Sequence, residues 1–208
     1  MISGTTYQTG ENIEVIKHQY DNIIFLDIDG VLNCQTFYEE RYANLTKYND
    51  VPFYKTVKKY LRKLVKTKQI SRLEYYKGEM CSERMQMLNE LCDETNSAVV
   101  LSASMRAQYN VEDLNTIFKS CGATFTIIDK TGHCECRNRG CEIDKWIKDH
   151  ITEWFDVEYY DFYRFVIIDD GSDMLLNQQY NFFQTDGYSG LTPNIVYKIK
   201  RFFTHKTF

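Results

Sequence analysis

Two groups of aspartates, about 140 residues apart, carry the chemistry this sequence could perform. Asp27 and Asp29 straddle Ile28 and are followed by Gly30. Alternate residues of an extended strand share a face, so both carboxylates point to one side, and Gly30 permits a tight turn directly after them. Two acids so placed suit covalent phosphoryl chemistry: one attacks phosphorus to give an aspartyl-phosphate, while the other protonates the leaving oxygen and later activates water. Asp-x-Asp-Gly is also an ordinary turn sequence. The second group, Asp169-Asp170-Gly171-Ser172-Asp173, raises it above that. A hard divalent cation explains the pair of groups, because Mg²⁺ takes oxygen ligands, few of them carboxylates, and shares a substrate phosphate. Without a cation so many like charges repel one another.

Short apolar runs must deliver these acids. Ile23-Ile24-Phe25-Leu26 feeds into Asp27, Ala98-Val99-Val100-Leu101 into Ser102, Phe125-Thr126-Ile127-Ile128 into Asp129, and Phe165-Val166-Ile167-Ile168 into Asp169. Each reads as a buried strand ending in a polar loop, and Phe182–Thr185 is a weaker fifth. Helical periodicity lies between them, over Cys81–Thr95, Val111–Ser120, Glu142–Phe155 and Pro193–Phe203. Alternating strands and helices predict a parallel sheet with its ligand site at the strands' carboxyl ends. Residues 1–22 carry no clear signal and suit either a short hairpin or an ordered tail.

With 208 residues, the chain exceeds one average domain and falls short of two, so one core with an insertion is expected. Hydrophobic residues at 43% and charged residues at 26% are globular values, which exclude a disordered or fibrous chain. No apolar stretch approaches the roughly 18 residues of a membrane helix, and no leader is evident at the start. Seven cysteines, an odd number in a chain that needs no staples, suggest reduced thiols and a cytoplasmic setting. The net charge of −4 is unevenly spread: Lys47–Lys77 holds ten basic and two acidic residues, leaving the remainder at −12. A basic segment set in an acidic body makes a polyanionic partner plausible. Within it Phe53–Lys68 reads as a helix with Val57, Leu61, Leu64 and Val65 on one face and lysines on the other.

The motifs carry a family resemblance. Ile-Phe-Leu-Asp27-Ile-Asp29-Gly-Val-Leu-Asn, Val-Val-Leu-Ser102 and Ile-Ile-Asp169-Asp170-Gly-Ser-Asp173 resemble motifs I, II and IV of the haloacid-dehalogenase (HAD) superfamily. Leu-Ser102-Ala-Ser104-Met-Arg106, Arg139-Gly-Cys-Glu142-Ile-Asp-Lys-Trp146-Ile and Gln-Thr185-Asp186-Gly-Tyr-Ser-Gly190-Leu-Thr192 narrow it to the HAD domains of Swiss Army Knife RNA repair proteins. The resemblance implies an α/β fold, a HAD-like Rossmannoid three-layer sandwich with a central parallel sheet and a small helical cap inserted after the first strand. Residues 1–33 and 80–208 would form the catalytic core and residues 34–79 the basic cap. It further implies a Mg²⁺-dependent phosphatase with Asp27 as nucleophile and Asp29 as general acid/base. Asp27 would bind the metal through its carboxylate and Asp29 through its carbonyl. Asp170 would be the direct motif IV ligand, supported by Asp169 and Asp173. Ser102 would hydrogen-bond the phosphoryl group, and Arg139, in preference to Arg137, would neutralise its charge. Gly30, Ser104, Arg106 and Arg137 are the candidates for substrate contact.

Other signals stay open. His133, Cys134, Cys136 and Cys141 offer the ligand types of a structural zinc site, though not at a usual finger spacing, and free thiols in a loop are the plainer reading. Cys34 reads as buried and inert rather than reactive. The basic helix is either a solvated face or a cap wall touching substrate phosphates, with Tyr48, Tyr54, Tyr60, Tyr75 and Tyr76 available to stack on bases. Phosphorylated nucleic-acid ends or nucleotides are therefore the expected substrates, with no membrane involved and the oligomeric state unread. A small metabolite or sugar phosphate, phosphoryl transfer to an acceptor other than water, and a non-catalytic nucleic-acid-binding module are the alternatives. The intact set of Asp27, Asp29, Ser102 and Asp170 argues against the last.

Overall fold

The computed structural model describes residues 20–45, 53–155 and 164–204. Residues 1–19, and with them most of the unassigned amino-terminal stretch, lie outside the described residues, as does Tyr48. Five strands, β1 (Asn22–Leu26), β2 (Ser97–Leu101), β3 (Ile127–Lys130), β4 (Phe165–Asp169) and β5 (Phe182–Gln184), pair in parallel in the order β3-β2-β1-β4-β5.

The two-residue alternation of each strand sends its side chains to opposite faces, and both faces are covered. Ile24, Leu26, Val99, Leu101, Val166 and Ile168 enter one core, while Ile23, Phe25, Val100, Phe165 and Ile167 enter the other. Helices α4 (Ser82–Glu94), α5 (Val111–Ser120) and α7 (Pro193–Thr204) close the first face through Leu88, Leu91, Leu114, Phe118, Val196 and Ile199. Helix α6 (Arg139–Phe155) closes the second through Ile143, Trp146 and Ile147. The result is a three-layer α/β sandwich. Each fully buried aliphatic or aromatic side chain contributes about 1.5–3 kcal/mol, so β1, whose five residues are all buried, anchors both layers.

Between β1 and α4 the chain builds α1 (Gln35–Arg41), α2 (Phe53–Lys66) and α3 (Arg72–Glu79), which share a third apolar cluster of Cys34, Phe37, Tyr38, Phe53, Val57, Leu61 and Cys81. Ser71 and Glu74 form a reciprocal capping box that starts α3. Helix α2 ends at Lys66, two residues before the expected end, where Lys68 adopts φ +57°.

Two expectations need correction. The third strand begins at Ile127 rather than Phe125 and contains Asp129, because the Asn115 side chain clamps the Ile127 backbone from both sides (2.7 and 3.0 Å) and the pairing with β2 shifts register at Val99/Val100. Asp129 is therefore not a strand-end acid of the site; its carboxylate accepts a hydrogen bond from the Trp146 indole at 2.6 Å. Helix α6 begins at Arg139 rather than Glu142, because the Asn138 side chain caps it by accepting from the Cys141 amide at 2.9 Å, while the Asp173 carboxylate accepts from the Arg139 amide at 2.8 Å.

Candidate active site

Chain order reverses at β1, whose neighbours are β2 on one side and β4 on the other, so a crevice opens at their carboxyl ends. Each strand end is stitched to the next. The Asp27 amide donates to Ile168 O (3.0 Å), the Ser102 amide to Leu26 O (2.9 Å) and the Thr185 amide to Asp169 O (3.0 Å). The sheet thus fixes the positions of Asp27, Ser102 and Asp169 relative to one another.

Gly30, at φ +77°, turns the chain away immediately after the two aspartates. The turn is held by the Asn33 side chain, which accepts from the Gly30 amide (3.1 Å) and donates to Asp29 Oδ1 (2.9 Å), and by Thr185 Oγ1, which donates to Gly30 O (2.8 Å). A Cβ at position 30 would sit 2.2 Å from Asp170 Oδ2, so glycine is required both by conformation and by the nearness of that carboxylate.

Asp27, Asp169 and Asp170 each bring a carboxylate oxygen to within 4.8 Å of the others, the one such group among the described residues. Asp27 is 6% exposed, and burial, followed by the Asp169 charge, pushes its pKa up to about 8 against the pull of Arg139. Burial also raises Asp169 and Asp170. Arg139 partly relieves this crowding: its Nη2 donates to Asp27 Oδ1 at 3.2 Å and its Nε lies 3.4 Å from Asp169 Oδ2. Three hard oxygen donors, mutually repelling and held by the sheet, fit a divalent cation such as Mg²⁺.

Three buried polar atoms here have no hydrogen-bond partner: Ser102 Oγ, Arg139 Nη1 and Asp169 Oδ2. Buried polar groups are nearly always satisfied, and those that are not call for an explanation, such as an ion or ligand. Here, beside the carboxylates, a tetrahedral oxyanion would supply acceptors for the serine hydroxyl and the guanidinium, and a cation would engage Asp169 Oδ2, which has the Arg139 Nε beside it at 3.4 Å.

The carboxylates of Asp29 and Asp173 stand outside the three-acid group. Asp29 faces the insertion, where Lys58 Nζ approaches its Oδ1 at 2.5 Å, and Asp173 accepts from the Arg139 amide at the start of α6. Arg106 is 5% exposed, so it is not a surface ion pair; its guanidinium pairs with Glu142 and donates to Ser102 O, while its Nε has no partner and the residue lines the cavity. Ser104 and Arg137 are exposed on the wall of the adjoining cavity. The zinc reading does not assemble, since His133 turns instead to Glu142 (3.2 Å) and Arg106 (3.4 Å). Cys34 is buried, as expected.

The cavity beside Asp27 measures about 1150 Å³. Core loops form one side of it. The opposite side is the insertion, including Lys58, Arg62, Lys66, Arg72, Tyr75 and Glu79. Lys58 and Glu142 were not singled out by sequence reasoning. Glu142 lies inside a quoted motif and four-residue spacing on the basic helix marks Lys58, but their partners are 29 and 36 residues distant.

The family model for the HAD domain in Swiss Army Knife RNA repair proteins matches residues 23–196, which include every strand and the whole site. The chain belongs to this family. Comparison with curated proteins and with solved structures returns no match. As a HAD domain it carries a phosphatase-type site, and the acid group at the switch point is where this fold concentrates its polar residues. No helix among the described residues is long and apolar enough to cross a membrane.

Proposed function

We propose that this HAD domain is a Mg²⁺-dependent phosphomonoester hydrolase acting on phosphorylated nucleic-acid ends or nucleotides. The observation that carries the reading is the meeting, at the ends of β1, β2 and β4, of the Asp27, Asp169 and Asp170 carboxylates with an unpartnered Ser102 hydroxyl and the Arg139 guanidinium. Asp27, Asp169 and Asp170 are the residues that would hold the cation, which when bound offsets negative charge on the carboxylates and on the phosphoryl oxygens.

Asp27 attacks phosphorus, and the bond between phosphorus and the ester oxygen breaks. Asp29 gives its proton to the departing oxygen. Asp29 then takes a proton from water as that water attacks the aspartyl-phosphate, so phosphate leaves and both acids are restored. Ser102 Oγ and Arg139 donate to the phosphoryl oxygens as charge develops there. Residues 34–79 act as the cap over this site. The cavity is larger than the roughly 300–1000 Å³ typical of small-ligand pockets, and away from the acid group its insertion side carries Lys58, Arg62, Lys66 and Arg72, which favours a nucleotide or strand end over a small sugar phosphate.

The test is phosphate release from 3′- and 5′-phosphorylated oligonucleotides, mononucleotides and sugar phosphates, with Mg²⁺ or with EDTA, and with Asp27→Asn as control. Release from nucleic-acid ends that needs both Mg²⁺ and Asp27 is expected. Release from sugar phosphates alone would remove the nucleic-acid assignment, and turnover by Asp27→Asn would remove the covalent mechanism.

A further inference from the structure

The basic residues of α2 fall into two rows, only one of which faces the site. Lys58, Arg62 and Lys66 are four residues apart and all three line the cavity, whereas Lys55, Lys59 and Lys63, equally spaced, do not. Four residues of helix advance about 6 Å, so the inner row climbs one inclined ridge of α2 with about 6 Å of rise from each basic residue to the next. Its inner end is fixed at the reacting centre by the 2.5 Å contact between Lys58 Nζ and Asp29. Arg62 stands one turn further out and Lys66 two, both exposed.

Aromatic rings flank this row, and Tyr75, on the neighbouring helix α3, hydrogen-bonds Arg62. Tyr75, Tyr76 and Tyr109 line the same cavity, and Tyr76 and Tyr109 are tied hydroxyl to hydroxyl at 3.1 Å. Tyr76 belongs to the insertion and Tyr109 to the core, so this contact holds the two sides of the groove together. Cations one helical turn apart beside tyrosine rings are what a single strand requires: charge for successive phosphates and flat apolar faces for bases.

We infer that Arg62 and Lys66 form a subsite for the two phosphodiesters that precede a terminal phosphate, so that the preferred substrate is a single strand of at least three nucleotides entering along α2. This rests on the hydrolase reading and adds to it a direction and a length. Lys58, beside Asp29, serves the terminal group, Arg62 the first diester and Lys66 the second. The outer row, which has the same charge and lies on the same helix, is the internal control.

The experiment compares kcat/KM for a mononucleotide, di-, tri- and hexanucleotide of one sequence bearing a terminal phosphate, in wild type, Arg62→Gln/Lys66→Gln and Lys59→Gln/Lys63→Gln. Each phosphate contact to a single strand contributes a salt slope of about 0.7, so two contacts amount to roughly a 25-fold preference for trinucleotide over mononucleotide at 0.1 M relative to 1 M salt. The preference is expected to level off at three nucleotides, to vanish in the inner-row variant and to persist in the outer-row variant. Equal loss in both variants would replace the subsite with a diffuse field and overturn the inference. So would a flat length profile in an enzyme that turns over the mononucleotide, which leaves the hydrolase intact. Tripolyphosphate inhibiting as well as the trinucleotide would overturn the nucleic-acid part.

If no substrate, p-nitrophenyl phosphate included, releases phosphate, the hydrolase reading fails by itself. Fluorescence anisotropy with a labelled trinucleotide then tests the row. The slope of log affinity against log salt becomes shallower by about 1.4 in the inner-row variant if the inference holds, and an unchanged slope overturns it.

Discussion

Replacing Asp27 by asparagine should stabilise the metal-free protein while abolishing turnover. Burial of this carboxylate, then the neighbouring Asp169 charge, pushes its pKa up to about 8. An acid whose pKa rises on folding holds a proton in the native state that the unfolded chain has already released, so stability falls as pH climbs from about 4 to about 8. At about 1.4 kcal/mol for each pKa unit, taking up that proton on folding costs up to about 4 kcal/mol at pH 7. Asparagine is neutral in both states and avoids this cost but weakens the 3.2 Å contact with Arg139, so a net gain of about 2 kcal/mol is expected. In a chain of this size that is about 4–8 °C in Tm. Thermal melts from pH 4 to 8 in EDTA should show the variant's advantage growing with pH, and saturating Mg²⁺ should reverse it, because the wild type then gains a ligand that asparagine cannot supply. A variant less stable than wild type at pH 7 to 8 in EDTA, or an advantage that does not change with pH, would refute the account of a carboxylate crowded by burial and like charge.

Three further substitutions separate chemistry from architecture. Ser102→Ala should lower kcat by about 10²–10³ with little change in Tm, since the hydroxyl has no protein partner to lose; a marked fall in Tm would show that it does structural work. Gly30→Ala places a Cβ 2.2 Å from Asp170 Oδ2 at a positive φ, so Mg²⁺ affinity, read by calorimetric titration, should drop at least tenfold. Unchanged affinity would show that Asp170 is dispensable for the metal. Arg106→Met leaves buried Glu142 with His133 as its remaining charged neighbour, with an expected loss of about 3 kcal/mol. Denaturant melts of Arg106→Met/Glu142→Leu should recover most of it, and failure to recover would place the role of Arg106 in its bond to the Ser102 carbonyl instead.

What was legible in the sequence is what local pattern encodes. An apolar run ending in Asp27, Ser102 or Asp169 can be read without a structure, because the strand and the polar residue that follows it are contiguous. The order of these runs was enough to expect a parallel sheet with both acid groups at one edge. What was not legible depends on long reach. The start of β3 is set by Asn115, twelve residues away, gripping the Ile127 backbone. Arg106 looks like a surface residue until α6 brings Glu142 beneath it. The histidine and cysteines near residue 135 resemble a ligand set by composition alone, but the fold gives His133 to Glu142. Lys58 could be seen as one lysine among many, and only the folding of α2 back over β1 separates it from the lysines of the outer row.

The strand-end hydrogen bonds have a consequence for the timing of motion. Unlike that of Thr185 beside the edge strand β5, the amides of Asp27 and Ser102 belong to the ladders joining β1 to β4 and to β2, so neither can be released without parting the central strands. Their hydrogen exchange is therefore bound to global unfolding, the slowest opening the molecule has. The groove wall on α2 and α3 meets the core through side chains such as Tyr76 against Tyr109 and Lys58 against Asp29, contacts that can break with the sheet intact. Asp27 and Ser102 thus stay set for as long as the protein is folded, while the wall on α2 and α3 can open and close many times within that lifetime.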